Sequence, residues 1–300
     1  MISKHIQKCL EIASALARSY PASIGVDYGY VYKKGKRLKK FGIRFHVPNK
    51  ISLDRLLKDH VLPKNINGVR CDVIERIYYP HNNSYDVLNP LISGALIGNL
   101  FRQTAGTLGF FARDNLGRIG LVSNWHVLEG SLAWGKETIQ QPRSARDVAT
   151  TVSMLEPVTG YDFGFAVLNG GISCSSEILN LGFSIVGVEQ PRAGIPVVKY
   201  GAATKETHGI IEAYPSKDLP MVYPSLNNQT YFLKAFCITP VPGGEQRISD
   251  QGDSGSVWIN PATHNVVGLH VGGLKDQPEV AVAHSIVDIL DKLGLELFIQ

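Results

Sequence analysis

The chain has 300 residues and a formal net charge of +4, with 44% hydrophobic and 19% charged residues. That balance excludes a mainly disordered chain and fits one large domain or two ordinary ones. No apolar run approaches the roughly 18–20 residues that a membrane-spanning helix needs, and a mildly basic charge does not by itself call for nucleic acid.

The 30 glycines exceed the usual share of about 7% and point to many turns, hence many short strands. Cys9, Cys71, Cys174 and Cys237 are scattered, with no Cys-x-x-Cys spacing. Zinc is therefore unsupported, no metal or other cofactor is expected, and the four residues read as buried free thiols in a reducing compartment.

In chain order, MISKHIQKCLEIASALARSY carries Lys4 and Lys8 before a short apolar stretch that Glu11 interrupts. The remaining stretch is too short for the apolar region of a signal peptide. Ile2, Ile6, Cys9, Ala13 and Leu16 fall instead at helical spacing. The segment predicts an amphipathic helix and a cytoplasmic protein. GVDYGYVY and FGIRFHV predict two strands joined by KKGKRLKK, residues 33–40. No aromatic side chain stands inside this basic run to stack on bases, so a solvated turn is expected and no nucleic-acid partner.

Leu53, Leu56 and Leu57 suggest a short helix, and Pro63, Asn67 and Gly68 mark turns before an extended segment at 69–79. HNNSYDVLNP, residues 81–90, reads as a linker. The chain thus divides into a small α+β domain, 1–90, and a second domain, 91–300. The first is the expected route to any homo-oligomer. From about 104 onward, short β-type runs alternate with turn residues: TLGFFAR, RIGLVS, FGFAVL, IPVVKYG, HGIIEAY, YFLKAFCITP, SGSVWI, NVVGLHV and VAVAHSI. Such texture argues for an all-β barrel or sandwich. A closing helix over 285–293 carries Ile286, Ile289, Leu290 and Leu293 on one face.

Three motifs carry chemistry. Gly252-Asp253-Ser254-Gly255-Ser256 precedes the strand VWI. A serine hydroxyl needs a base to take its proton and donors for the oxyanion formed on attack at a carbonyl. Gly252 permits a backbone turn that aims the amides of Gly252 and Ser254 at one spot. His126 stands just past the apolar strand that ends at Asn124-Trp125, and histidine is the side chain best suited to act as a base near neutral pH. Asp162 opens the apolar strand FGFAVL and can hold the second imidazole nitrogen. Asp147 is the rival acid, although RDVATTV is not followed by so apolar a strand. Taken singly, the three motifs also read as a polar turn, a packed histidine and a strand-start aspartate.

Their order, His126, Asp162, Ser254, is that of the chymotrypsin arrangement. With GTLGFFARDNLGRIGLVSNWHVL, YDFGFAVL, QGDSGS and VVGLHVGG in succession, the chain resembles the chymotrypsin-like (trypsin-type) serine peptidases over about 104–293. IPVVKYGAATKETHGIIEAY is similar to the opening hairpin of that family's second barrel. The stretch from Gly25 to Glu75, ending LPKNINGVRCDVIE, resembles the domain before the peptidase in bacterial proteins related to the plant narrow-leaf proteins.

The resemblance implies two six-stranded antiparallel β-barrels and hydrolysis of protein or peptide bonds by His126, Asp162 and Ser254, with the oxyanion at the amides of Gly252 and Ser254. It places the primary specificity pocket along Val266–Gly273, with Gly272 and Gly273 in its wall, Ile248 at its floor and His270 beside it. A histidine there would favour Glu or Gln before the cleaved bond. The alternatives are a shallow apolar slot, or His270 turned into the barrel core. The chain departs from secreted trypsins in lacking an Ile-Val-Gly-Gly activation site, so Asp253 needs a partner other than a new N-terminal amine. Trp125 also stands where smaller residues are usual. The other reading of the whole is a catalytically silent relative that serves as a scaffold or binds peptides.

Overall fold

The computed structural model describes residues 3–20, 25–33, 36–47, 50–57, 60–75, 86–129, 135–143, 145–214, 219–274 and 277–300. The first half of the linker, 81–85, and positions 34 and 35 of the basic run lie outside them. Packing divides the chain into residues 1–79 and 80–300, and Leu88 falls in the second unit, inside its core.

In the first unit, Ser3 caps helix α1 (Lys4–Arg18) by accepting from the amide of Ile6. The helix buries Cys9, Ala13 and Ala17, while Leu16, which shares their helical spacing in sequence, is 36% exposed. Small side chains on the buried stripe let the helix lie close to its sheet. That sheet runs Gly25–Lys33, Lys36–Val47, Val69–Glu75, Asn65–Ile66, with Ile43 and Phe45 facing the helix stripe in one cluster. Leu53–Arg55 forms a single 3-10 turn.

The second unit is built of two closed barrels. In the first, Leu96–Asn99, Thr138–Gln140, Asp147–Leu155, Phe163–Leu168 and Ile119–Ser123 pair in that order. Closure comes from one bent strand: Thr104–Thr107 pairs with Leu96–Asn99, and its continuation Phe110–Asp114 pairs with Ile119–Ser123. In the second barrel, Pro196–Gly201, Lys205–Ala213, Phe236–Pro240, Gln277–Ser285, Asn265–Leu274 and Val257–Asn260 close a ring of antiparallel pairs. The strand Leu91–Ser93, before the point where the β texture becomes plain in sequence, pairs with Cys174–Ile178. The C-terminal strand Leu295–Leu297 joins the first barrel beside Phe110–Asp114.

Alternation along each strand sorts side chains between two cores. Val197 points inside the second barrel, with Ile211, Phe236, Ile238 and Trp258. Its neighbour Val198 points the other way, into a cluster shared with Phe110, Leu121 and Phe165 of the first barrel. The barrels meet so closely that a Cβ at Gly255, whose φ is +91°, would lie 2.1 Å from the carbonyl oxygen of Thr107. Helix α3 (Ile286–Leu293) buries Ile286 and Ile289 in the shared core and ends at Gly294 in the left-handed region.

Candidate active site

Strand register brings the first two candidate residues together. Ser123 pairs with Gly164, so the one-turn helix α2 (Trp125–Leu128), begun by Asn124, sits beside the start of Phe163–Leu168. His126 Nδ1 lies 2.6 Å from Asp162 Oδ2, and the His126 amide donates to Oδ1 at 3.1 Å. Three further groups fix Asp162. Asn124 Nδ2 donates to its carbonyl at 2.8 Å, its own amide donates to His284 Nε2 at 3.1 Å, and the Tyr223 hydroxyl donates to Oδ2 at 2.7 Å.

Asp162 is wholly buried. Burial alone would raise its pKa, but the attraction of His126 and the hydrogen bonds from His126 and Tyr223 hold it below the ordinary carboxylate value. Tyr223, buried against that carboxylate, has its phenol pushed far up and stays a donor. Trp125 does not crowd the cleft: it is buried with Tyr223, Leu233 and Val271.

Ser254 reaches the same place from the second barrel. Its carbonyl accepts from the Thr107 amide at 2.7 Å. A Cβ at Gly106 would lie 2.5 Å from Val127, the neighbour of His126, and 2.7 Å from the Ser254 carbonyl oxygen, so glycine there lets the two candidate loops approach. Gly252 has φ +106°, and its carbonyl is held by the Thr107 hydroxyl at 2.8 Å. Among the described residues the amides of Gly252 and Ser254 donate to no protein acceptor, whereas the interleaved amides of Asp253 and Gly255 bond to Asp250 and His270. The Ser254 hydroxyl donates to the carbonyl of Val271 at 2.9 Å rather than to His126.

Asp253 has the partner that the sequence left open. Lys199 Nζ lies 2.9 Å from its Oδ2, with both side chains fully buried. The Thr204 hydroxyl and the amides of Ala203, Thr204 and Asp250 complete the shell. Burial would raise the Asp253 pKa, yet Lys199 and these donors hold it below the usual carboxylate range. Burial draws the Lys199 ammonium down, and Asp253 opposes that pull.

The expected pocket residues separate. Ile248 is no pocket floor. It is 0% exposed and packs with Phe236, Ile238 and Trp258 inside the second barrel, because its side chain falls on the inward side of the chain; its neighbour Ser249 faces His270. His270 is also fully buried. Its Nδ1 accepts from Trp258 Nε1 at 3.3 Å and its Nε2 lies 3.2 Å from Ser249 Oγ. Burial, with the nearby Lys199 ammonium, pushes its pKa down to about 3, so the ring is neutral. Gly272 and Gly273 are partly exposed, and a Cβ at Gly273 would meet Ser249 Oγ at 2.9 Å.

Among the described residues no cluster of histidine, cysteine and carboxylate side chains could hold a metal ion. The four cysteines are free. Asp147, the rival acid, has an exposed side chain and accepts from Gln140 Nε2 on the first barrel's wall.

No protein-family profile matches the chain, and no curated protein matches it. Solved structures do. Protease A of Thermobifida fusca superposes with a TM-score of 0.54 at 19% identity, over 70% of this chain and 99% of that one. The chymotrypsin of Cellulomonas bogoriensis gives 0.52 at 19%, over 70% and 99%. A glutamic acid-specific serine protease that uses a histidine triad in substrate binding gives 0.55 at 17%, over 69% and 100%. At these identities the likeness establishes the fold: the chain has the double β-barrel of the chymotrypsin-like serine proteases.

Proposed function

We propose that the chain is a serine endopeptidase that hydrolyses protein or peptide bonds through an acyl-enzyme on Ser254. The observation that carries this reading is the His126–Asp162 pair at 2.6 Å, set against a serine whose flanking amides are unspent. Asp162, ionised, accepts a hydrogen bond from Nδ1–H and so leaves Nε2 as the base. A turn of the Ser254 side chain away from Val271 brings its hydroxyl to that base. Oγ then attacks the carbonyl carbon, and the oxyanion is received by the amides of Gly252 and Ser254. His126 returns the proton to the leaving amine, and water repeats the sequence on the ester. No cofactor enters these steps.

The substrate chain has a berth. Beyond His270 the edge of Asn265–Leu274 that faces Ser254 carries no strand partner among the described residues, and an extended peptide can add to such an edge. For the side chain before the cleaved bond, Trp258 donates to His270 Nδ1, so Nε2 carries the proton and points to Ser249 Oγ. The hydroxyl hydrogen of Ser249 is then free for an oxygen of Glu or Gln. Because the imidazole is neutral, the amide of Gln suits it better than a carboxylate. The histidines used by the glutamate-specific neighbour support a polar pocket of this kind.

We further assign residues 1–79 to control of access or self-association, with no catalytic group of their own. A fluorophosphonate probe tests the main reading: it labels the wild type and not Ser254→Ala. Absence of labelling of the wild type overturns it in favour of a silent scaffold.

A further inference from the structure

Thr107 ends the strand Thr104–Thr107 of the first barrel and is fully buried where the two barrels meet. Each of its polar atoms reaches another segment. Its amide donates to the Ser254 carbonyl at 2.7 Å. Its carbonyl accepts at 2.8 Å from the hydroxyl of Ser123, on the segment that leads into His126. Its hydroxyl accepts from the Ala202 amide at 3.0 Å and donates to the Gly252 carbonyl at 2.8 Å. These two roles cannot be exchanged: the Ala202 amide is a donor, so the single hydroxyl hydrogen goes to Gly252.

This arrangement holds two peptide planes of the candidate nucleophile loop at both ends. In the plane from Gly252 to Asp253, Thr107 holds the carbonyl and the Asp250 carbonyl holds the amide. In the plane from Ser254 to Gly255, Thr107 holds the carbonyl and the His270 carbonyl holds the amide. The amides of Gly252 and Ser254 remain, the pair that receives the oxyanion in the proposed mechanism. The two are not equally secure. The Asp253 carbonyl shares a plane with the Ser254 amide, and it accepts from both the amide and the hydroxyl of Ser256. Gly252 has φ +106° and no Cβ, so rotation about its backbone bonds meets little resistance. The hold on its carbonyl limits that rotation.

We infer that Thr107 is a positioning residue of this site: its hydroxyl sets the direction of the Gly252 amide, and through it the binding of the oxyanion, without touching the substrate. The inference rests on the peptidase reading above.

A peptide aldehyde and the matching peptide alcohol test it on the full chain. With the aldehyde, Ser254 Oγ bonds to the carbonyl carbon, the hydroxyl proton passes to His126, and the carbonyl electron pair becomes an oxyanion facing the two amides; nothing leaves. The alcohol makes the same contacts and forms no adduct. Both inhibition constants are read against ester turnover, so they do not depend on the fraction of protein that is folded. Thr107→Val should weaken the aldehyde and lower kcat by about tenfold to a hundredfold, less than the loss of a whole oxyanion donor because the amide is turned rather than removed, while KM and the alcohol stay within about twofold. Thr107→Ser keeps the hydroxyl and should stay within about threefold of the wild type. If Thr107→Val does not fold, Thr107→Cys decides: its thiol is a weak donor of similar reach, and its aldehyde affinity should fall between those of the Ser variant and a lost donor. Three results overturn the assignment: wild-type aldehyde affinity in the Val or Cys variant, a Ser variant no better than either, or an alcohol weakened in step with the aldehyde. A wild type that neither turns over the ester nor binds the aldehyde brings down the peptidase reading and this inference with it, whereas an active wild type with an unaffected variant brings down this inference alone.

Discussion

Replacing Lys199 by Met removes the fully buried ammonium that lies against Asp253 while keeping a side chain of similar length. In the folded chain Asp253 would keep four donors, from Ala203, Thr204 twice and Asp250, but lose its countercharge at 2.9 Å. Breaking one side of a buried pair costs about 3–5 kcal/mol, and the surviving donors put the expectation at the lower end, about 3 kcal/mol at pH 7. For a unit of this size that is about 6–12 °C in Tm.

The dependence on pH follows from the sign of the shift. Asp253 titrates below its unfolded value, so its contribution is complete above an unfolded pKa of about 3.9 and fades as pH falls through the lower folded one. Losing Lys199 raises the folded pKa. The deficit of the variant should therefore shrink as the pH falls below about 4, where a protonated Asp253 needs no cation. Urea titrations across pH, followed by tryptophan fluorescence, measure this directly, because all three tryptophans lie in residues 80–300. The variant should also lose on the order of 10²–10³ in kcat on an ester, the usual cost of a lost oxyanion donor, since Asp253 holds the loop between Gly252 and Ser254. A deficit under 1 kcal/mol at pH 7, or one that does not change with pH, would refute the reasoning. So would a double variant Lys199→Met, Asp253→Asn that regains no stability.

Ser254→Ala and His126→Ala should each lower kcat on a peptide by about 10⁴ or more with thermal unfolding nearly unchanged, and Asp162→Asn somewhat less; full turnover by Ser254→Ala would sink the mechanism. Tyr223→Phe takes one donor from an ionised, buried carboxylate, so denaturation at pH 7 should show a loss of about 1.5–3 kcal/mol, and kcat should fall while KM holds. Substrates that differ only before the cleaved bond should favour Gln over Glu and Leu, and Ser249→Ala should remove that order. A chain beginning at residue 80 should differ from the full chain in gel-filtration mass or in peptidase rate; if both are unchanged, the regulatory role given to residues 1–79 is wrong.

The candidate residues could be read from the sequence because each lies in a short local pattern: a glycine-flanked serine before a strand, a histidine just after one, and an acid at the mouth of a third. What positions them was not legible, for a physical reason. Tyr223 and His284 act on Asp162 across 61 and 122 residues, and Lys199 acts on Asp253 across 54. Those contacts form only when the two barrels and the hairpin of Leu219–Tyr223 and Gln229–Leu233 pack together. Lys199 left a trace, a lone cation inside the apolar run IPVVKYG, which is costly in a strand unless a charge is buried with it. Ile248 failed as a pocket floor because counting back from the nucleophile fixes position along the chain and not the face a side chain takes. The first barrel's opening strand, Leu96–Asn99, gave no alternation because all four of its residues, the polar Asn99 included, are buried, and a strand covered on both faces has no period to read.

On the proposed peptidase reading, Lys199 would take the place that a new N-terminal amine has in secreted trypsins. An activation cleavage supplies a cation to the aspartate beside the nucleophile only after processing. Lys199 supplies it from within a strand of the second barrel, as part of folding itself. On that reading the site would form as the barrel closes, and control would act on access to the cleft or on the hydroxyl of Ser254. On the proposed peptidase reading, the contact of that hydroxyl with Val271 would be broken by a peptide that takes the edge at 271–273, which would tie the release of Ser254 to the arrival of substrate.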